Sequence, residues 1–311
     1  MPDTTRGVTV IRVPLVGAGG EPVDFWRTVV SHGLVFLPPT RVDESARTLE
    51  AAVRTSQGVR SLRIRETGGE AEVRLAGKAN VQLRAEALET ARHLLRLDED
   101  LSAFYEIAHA DAELHWAGIG AARLVRSQSV FEEVIKTICT TNCAWSATVR
   151  MVSTLVDGLG DPTPRVEGAT ERRAFPTPSA MADAPESFYK DEMRSGYRGP
   201  FLREVARRVA SGEVDLEALA ASDLSDDDLE RELLALPGVG LYAAAHIMLL
   251  VGRYSRLVLD SWTRPKYASL VGRAKTDSQI AWRFRKFGRF AGLAFWLYVT
   301  QDWVNEPTAI R

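Results

Sequence analysis

Apolar and polar positions alternate with a period of two in the first part of the chain, up to about residue 85. Val8 to Val16, Leu49 to Val53 and Arg60 to Glu66 each gather apolar side chains on one face, Leu62 and Ile64 among them. That is the pattern of half-buried strands. Glu70 to Leu75 follows Gly68-Gly69, a pair suited to a tight hairpin turn. Leu37-Pro38-Pro39-Thr40 marks a rigid connection between elements. The predicted product is an antiparallel β-rich region.

From Ala85 onward the spacing becomes helical. Ser129 is placed to cap a helix carrying Phe131, Val134, Ile135 and Ile138 and ending near Thr140-Thr141-Asn142. A second helix is predicted from Ala144 to Leu159, with Trp145, Val149, Val152, Leu155, Val156 and Leu159 inward. Asp161 to Pro178 is rich in proline, charge and small residues and reads as a loop. Helices follow over Pro200 to Ala210, over Asp228 to Leu236 behind the capping-box pattern Ser225-Asp226-Asp227-Asp228, and over Leu241 to Val251.

The chain of 311 residues is 45% hydrophobic and 26% charged, the composition of a globular protein with real cores. No apolar run reaches bilayer length, and Met1 to Gly7 lacks the basic start and apolar stretch of a signal peptide. Two cysteines, Cys139 and Cys143, exclude a disulfide scaffold and a four-cysteine cluster. They read as core thiols, and a reducing cytoplasm is the expected setting. The net charge of −2 hides a segregation. Arg253 to Arg289 holds ten Lys/Arg against Asp260 and Asp277, whereas Glu213 to Glu232 holds nine acids and one Arg. The basic segment suits phosphate contact; the alternative is a solvated basic face balanced by an acidic helix.

Leu236-Pro237-Gly238-Val239-Gly240 lies between two predicted helices. Proline and the glycines stop the first and permit a tight hairpin. The second helix then starts with unpaired N–H groups beside a turn free of side chains, an arrangement suited to a phosphate. A plain helix–turn–helix corner is the alternative. Val258-Leu259-Asp260-Ser261-Trp262 next puts a carboxylate after apolar residues and before a further helix. Asp260 is placed to cap that helix, and a capped carboxylate that stays ionised can also stabilise a positive charge.

The hairpin, its helix and an Asp eighteen residues after Tyr242 resemble the signature of the helix-hairpin-helix/Gly-Pro-Asp DNA glycosylases. Phe131 to Gly160 and Gly196-Tyr197-Arg198 resemble segments of the bacterial 3-methyladenine and 8-oxoguanine members. The resemblance implies an α+β fold: an N-terminal antiparallel β-sheet region over residues 1–85, then a two-lobed all-α helix-hairpin-helix core over residues 86–311. It implies double-stranded DNA with a damaged base as the partner, flipped for attack on its N-glycosidic bond. Asp260 matches the catalytic carboxylate. Gly238, Val239 and Gly240 match the phosphate-gripping hairpin. The carbonyls of Leu234, Leu236 and Val239 match a main-chain site for a monovalent cation, K+ or Na+; no other cofactor is implied.

Asn142, Tyr197 and Arg198 match residues that fill and flank the gap left by a flipped base. Their alternatives are a cap on the Ala144 helix, a core ring and a surface ion pair. Arg264 and Lys266 are candidate phosphate contacts. Tyr242, His246, Trp145 and Trp262 are candidates for the base pocket, where aromatic rings favour an electron-poor, cationic alkylated purine. Bifunctional members carry a lysine where this chain has Tyr242, and a phenol forms no imine. Phe295 and Val299 stand where 8-oxoguanine enzymes use Gln and Phe. The sequence therefore predicts a monofunctional glycosylase for alkylated purines, monomeric, cytoplasmic and nucleoid-associated. The alternatives are a glycosylase for deaminated or oxidised bases and a non-catalytic helix-hairpin-helix DNA-binding module.

Overall fold

In a computed structural model, which describes residues 7–164 and 171–304, the alternating segments pair as an antiparallel sheet. Its strands are β1 (Val8–Pro14), β2 (Thr40–Asp43), β3 (Thr48–Thr55), β4 (Gly58–Thr67) and β5 (Glu70–Ala76), in the order β1-β5-β4-β3-β2. The register aligns Ile11, Val73, Ile64 and Leu49 in one row and Leu75, Leu62 and Ala51 in another. One face is thereby apolar, as the period of two requires. β2 escapes the alternation because it is short and begins directly after Pro38-Pro39; at the sheet edge that proline pair removes no ladder bond from a central strand.

Helix α1 (Phe25–Val29), capped by Asp24, and helix α2 (Val81–Leu94) cover the apolar face. α2 lays Leu83, Ala87, Ala91 and Leu94 on the sheet, and the same core continues to Leu97. Residue 85 thus lies within a helix that belongs to the sheet layer. The other face is crossed by the segment after residue 170, where Ala174 meets Ala52 and Val59 and Arg172 pairs with Glu50. The described ends of the Asp161 to Pro178 loop pair with each other, Thr163 N–H donating to the Arg172 carbonyl at 2.7 Å.

The remaining helices are α3 (Ser102–Ala110), α4 (Val130–Thr140), α5 (Trp145–Leu159), α6 (Pro178–Asp183), α7 (Arg198–Ala210), α8 (Leu216–Ala220), α9 (Asp226–Leu234), α10 (Leu241–Leu250), α11 (Thr263–Val271), α12 (Asp277–Phe284) and α13 (Ala291–Thr300). They form two cores: one from α4 to α10, the other from α3 and α11 to α13. α10 serves both. Ala243, Ala244, Ile247, Met248 and Leu250 enter the first, and Ala245 and Leu249 the second. On α5 the inward stripe is Thr148, Met151, Val152, Leu155 and Val156. Val149, predicted inward, is exposed, because it lies outside this i, i+3, i+4, i+7, i+8 set. Among the described residues no helix is long and apolar enough to cross a membrane.

Two fully buried arginines tie the layers together. Arg96, just after α2, donates to the carbonyls of Leu124 (2.9 Å) and Leu250 and to Glu99 (2.9 Å) and Tyr254 (3.2 Å). Arg123 donates to the carbonyls of Arg96 and Glu99 and pairs with buried Glu21. The sheet layer, the connecting segment and the end of α10 thus share one hydrogen-bonded knot. Removing one member of a buried ion pair leaves an uncompensated charge, a loss of roughly 3–5 kcal/mol. Arg123→Met is expected to lose about that much unfolding free energy in urea, and adding Glu21→Gln is expected to recover part of it. A loss indistinguishable from zero would show that the knot does not hold the layers.

Candidate functional site

The seam between the two helical cores opens into a cavity of about 320 Å³. α10 supplies Tyr242 and His246 to its wall, and the α4–α5 corner supplies Thr140, Cys143, Trp145 and Thr148. Asp260, Ser261 and Trp262 come from the start of α11, Trp296 from α13, and Trp303 from the turn beyond it. Gly33 and Leu34 form a lip from the sheet layer. The four side chains that the sequence assigns to a pocket, Trp145, Tyr242, His246 and Trp262, therefore converge on one space together with Asp260.

Asp260 is held as a cap. Its Oδ1 accepts from the N–H groups of Trp262 (2.9 Å) and Thr263 (2.6 Å), and its own N–H donates to Thr263 Oγ1 at 2.8 Å. Thr263 is fully buried, so the loop cannot swing without unpairing it. Among the described residues nothing hydrogen-bonds the second carboxylate oxygen. The helix start favours negative charge here. Capping and a free oxygen coexist in one residue.

The walls are aromatic. Ring centroids lie 5.2 Å apart for Trp262 and Trp303 (tilted), 5.7 Å for Trp296 and Trp303 (edge to face) and 5.7 Å for His246 and Trp296 (tilted). Trp296 is fixed by donating from Nε1 to the Ser31 carbonyl at 2.8 Å, which also anchors the Gly33–Leu34 lip. Burial pushes the His246 pKa down to about 4, so the ring is neutral at pH 7. Burial likewise pushes the Tyr242 hydroxyl up to about 12, so it stays protonated. No lysine lines the cavity among the described residues.

Sequence reasoning missed Trp296 and Trp303. It examined Phe295 and Val299 instead, and both are fully buried in the second core. The helical phase of α13 turns Trp296, one residue on, toward the cavity. The signal present in the sequence is a Trp pair seven residues apart, one within the apolar run of α13 and one just after it.

Beside the cavity mouth, Asn142 is exposed with a left-handed backbone, φ +46°. The Ala144 helix has no side-chain cap, so Asn142 does not cap it. Its Nδ2 instead donates to Tyr197 Oη at 3.2 Å, and Tyr197 is 54% exposed rather than core. Arg198 is not the surface ion pair that the sequence left as its alternative. It is buried, stacks on Tyr197 at 4.6 Å and donates to the Thr141 carbonyl. It braces the Asn142 corner from below.

The hairpin adjoins this face. Gly238 has φ +81°, and a Cβ there would meet Phe201 at 3.1 Å and Ile138 at 3.3 Å. Gly240 caps α10 with no side chain near it, and Leu241 is 71% exposed, so the first N–H groups of α10 open outward. Val239 N–H donates to the Leu236 carbonyl at 3.2 Å, while the Leu234 and Val239 carbonyls accept no backbone hydrogen bond outside helices among the described residues. The basic segment is less free than its composition suggests. Arg253 pairs with Asp226, Arg256 with Asp227 and Glu230, Arg264 with Asp277 at 2.8 Å, and Lys266 with Asp302. The balance by the acidic segment weighed from the sequence is thus realised for Arg253 and Arg256, whereas Arg264 and Lys266 pair with acids outside it.

No protein-family model matches this sequence, and no curated protein matches it. Solved structures do share its fold. MBOgg1 in complex with a low-affinity DNA ligand superposes with a TM-score of 0.74 at 20% identity, covering 96% of each chain. The 8-oxoguanine glycosylase/lyase of Clostridium acetobutylicum in its apo form superposes at 0.72 and 19% identity, over 94% of this chain and 95% of that one. The 3-methyladenine DNA-glycosylase of Archaeoglobus fulgidus gives 0.72 and 18%, over 93% and 98%. The α+β architecture implied by the sequence resemblance is the one these structures have.

Buried His246 links the cavity to stability. Its folded pKa lies below the ordinary 6.5, so the unfolded chain takes the proton first. The contribution is fully present above pH 6.5 and is lost as pH falls toward 4, by about 3 kcal/mol. His246→Leu is expected to shrink the acid-side slope of unfolding free energy against pH over that window; parallel profiles for the two proteins would refute the buried neutral ring.

Proposed function

We propose that this protein is a monofunctional DNA glycosylase that releases alkylated purines from double-stranded DNA. The observation that carries the reading is Asp260, with one oxygen pinned by two backbone N–H groups and the other unpaired at an aromatic cavity large enough for a base. Breaking an N-glycosidic bond builds positive charge on the sugar. A fixed carboxylate beside C1′ stabilises that charge without reorganising and orients the attacking water.

Each neighbouring feature has a part in this reading. The rings of Trp145, Tyr242, Trp262, Trp296 and Trp303 stack on a flipped base and favour a cationic one. Asn142 and Tyr197 fill the gap that base leaves, and Arg198 holds them at the right height. The amides at Gly238 to Gly240 grip a phosphate. The Leu234 and Val239 carbonyls, with Leu236, suit a K+ or Na+ ion that would add positive charge behind that phosphate. Tyr242 in place of a lysine supports base release by water without strand cleavage. The fold neighbours support the class, being glycosylases for alkylated and oxidised bases, and their near-equal superposition favours neither lesion.

The reading is tested on heavily methylated duplex DNA by separating the freed bases and examining the strands before and after hot alkali. Alkylated purines are expected in the free fraction, with strand breaks only after alkali. Asp260→Asn keeps the capping oxygen and is expected to fold and bind DNA normally while releasing base at least about a hundredfold more slowly. Undiminished release by that variant would remove Asp260 from catalysis. Gly240→Asp meets no neighbour within 4 Å, yet places a negative charge against the phosphate. It is expected to weaken binding to all duplexes alike by about tenfold, and unchanged binding would dismiss the hairpin as the clamp.

A further inference from the structure

Beyond the Asp260 cavity, a second groove of about 670 Å³ lies between the far end of α11 and α12. Its walls carry Arg273, Lys275, Trp282 and Arg283, and no carboxylate. The other large groove, of about 600 Å³ beside α7, sets Glu186 and Glu204 against its cations and favours neither sign of charge. The loop that bears Arg273 and Lys275 is fixed at both ends. Gly272 closes α11 with φ +74°, and the Thr276–Gln279 capping box opens α12. Arg264 ties the start of α12 to α11 through Asp277. Arg283 is engaged within the fold, by Glu113 and by Tyr267 Oη at 3.1 Å. Arg273 and Lys275 have no ion-pair or side-chain hydrogen-bond partner among the described residues. Trp282 is 65% exposed, although the Arg285 guanidinium lies 4.7 Å from its ring. An open ring, two free cations and no acid form the chemistry that holds an unpaired strand: cations follow the phosphates, and the ring stacks on a base. In a duplex each base face is covered by its neighbours, so the ring finds a partner only where the strand is unpaired.

We propose that this groove binds single-stranded DNA, with a base stacked on Trp282 and phosphates beside Arg273 and Lys275. The choice of DNA rests on the glycosylase reading, whereas the unpaired strand rests on the groove alone. α11 joins the two sites. Its nine residues span about 14 Å between the Asp260 cap and Gly272, a distance of about four base-pair steps. A duplex held at Asp260 therefore brings an unpaired flank within reach of Trp282 when the pairing ends a few nucleotides away. The groove selects damage that lies beside such a junction.

The test measures binding of a fluorescent oligothymidylate, of a blunt undamaged duplex, and of the same duplex with a thymidine tail at either its 3′ or its 5′ end. The wild type is expected to hold at least one of the tailed duplexes about tenfold more tightly than the blunt one. Trp282→Ala is expected to remove that advantage and to weaken oligothymidylate binding by about tenfold, with blunt-duplex binding unchanged. Trp282→Phe keeps a ring and is expected to recover most of the loss. Arg273→Gln combined with Lys275→Gln is expected to flatten the slope of log K against log salt for oligothymidylate by about 1.4. Equal binding of blunt and tailed duplexes by the wild type, or a tail advantage undiminished in Trp282→Ala, would overturn the proposal. So would displacement of oligothymidylate by oligoglutamate as readily as by unlabelled strand, which would make the groove a site for acidic peptides. Binding is read without base release, so a protein that held the tails and released no base would lose the glycosylase reading and keep the groove.

Discussion

Helix α10 has no face left for water beyond its first turn. From Ala243 to Leu250 each residue is buried, some in one helical core and some in the other. A helix apolar all round must be enclosed, and enclosing it forces the two helical cores to meet along its length. The cavity is where that meeting is incomplete, around Tyr242 and His246 in its first turns. The same constraint exposes the only end of α10 that can be exposed, the glycine hairpin that precedes it. Cavity and hairpin therefore lie at one end of one rigid rod, with a spacing set by a helical turn.

The Arg96–Arg123 knot extends this arrangement into the sheet layer. Arg96 reaches the carbonyl of Leu250 at the far end of α10, and Arg123 reaches Glu21. The sheet also contributes the Gly33–Leu34 lip of the cavity, held by Trp296. The β-rich region is thus a wall of the site rather than an appendage, which gives a physical reason for the two parts to be fastened by charged groups with directional bonds. Apolar contact alone would allow sliding.

What the sequence made legible follows from period and local chemistry. Strands β3 to β5, helices α4, α5 and α10, the hairpin and the Asp260 cap all announce themselves within a few residues. The Trp145, Tyr242, His246, Trp262 and Asp260 set was drawn from three segments, and the fold brings it to one cavity. What stayed hidden depends on distant partners. Glu132 and Lys136 on α4 are buried as an ion pair at 2.6 Å, and burial pushes the neighbouring Glu133 up to about 7. The phase of α13 decides that Trp296 and not Phe295 lines the cavity, and a helix apolar on every side carries no periodic signal of its phase. That Arg198 is buried and braces the Thr141 carbonyl stayed hidden as well, because only the fold brings that carbonyl within its reach.

Charge pattern taught the opposite lesson. Ten cations between Arg253 and Arg289 suggest an electrostatic grip, but Arg253, Arg256, Arg264 and Lys266 each already face a carboxylate. A phosphate approaching Arg264 meets a bidentate Asp277, an exposed pair that lowers the gain from that charge only modestly. Backbone amides have no such competitor. The N–H groups that open α10 after Gly240 are unpaired and backed by the α10 dipole. On the proposed reading, then, the hold on DNA rests more on the hairpin and the Asn142–Tyr197 corner than on side-chain charge. A protein with a net charge of −2 can bind a polyanion this way, because a few oriented dipoles at the right place outweigh an average taken over the whole surface.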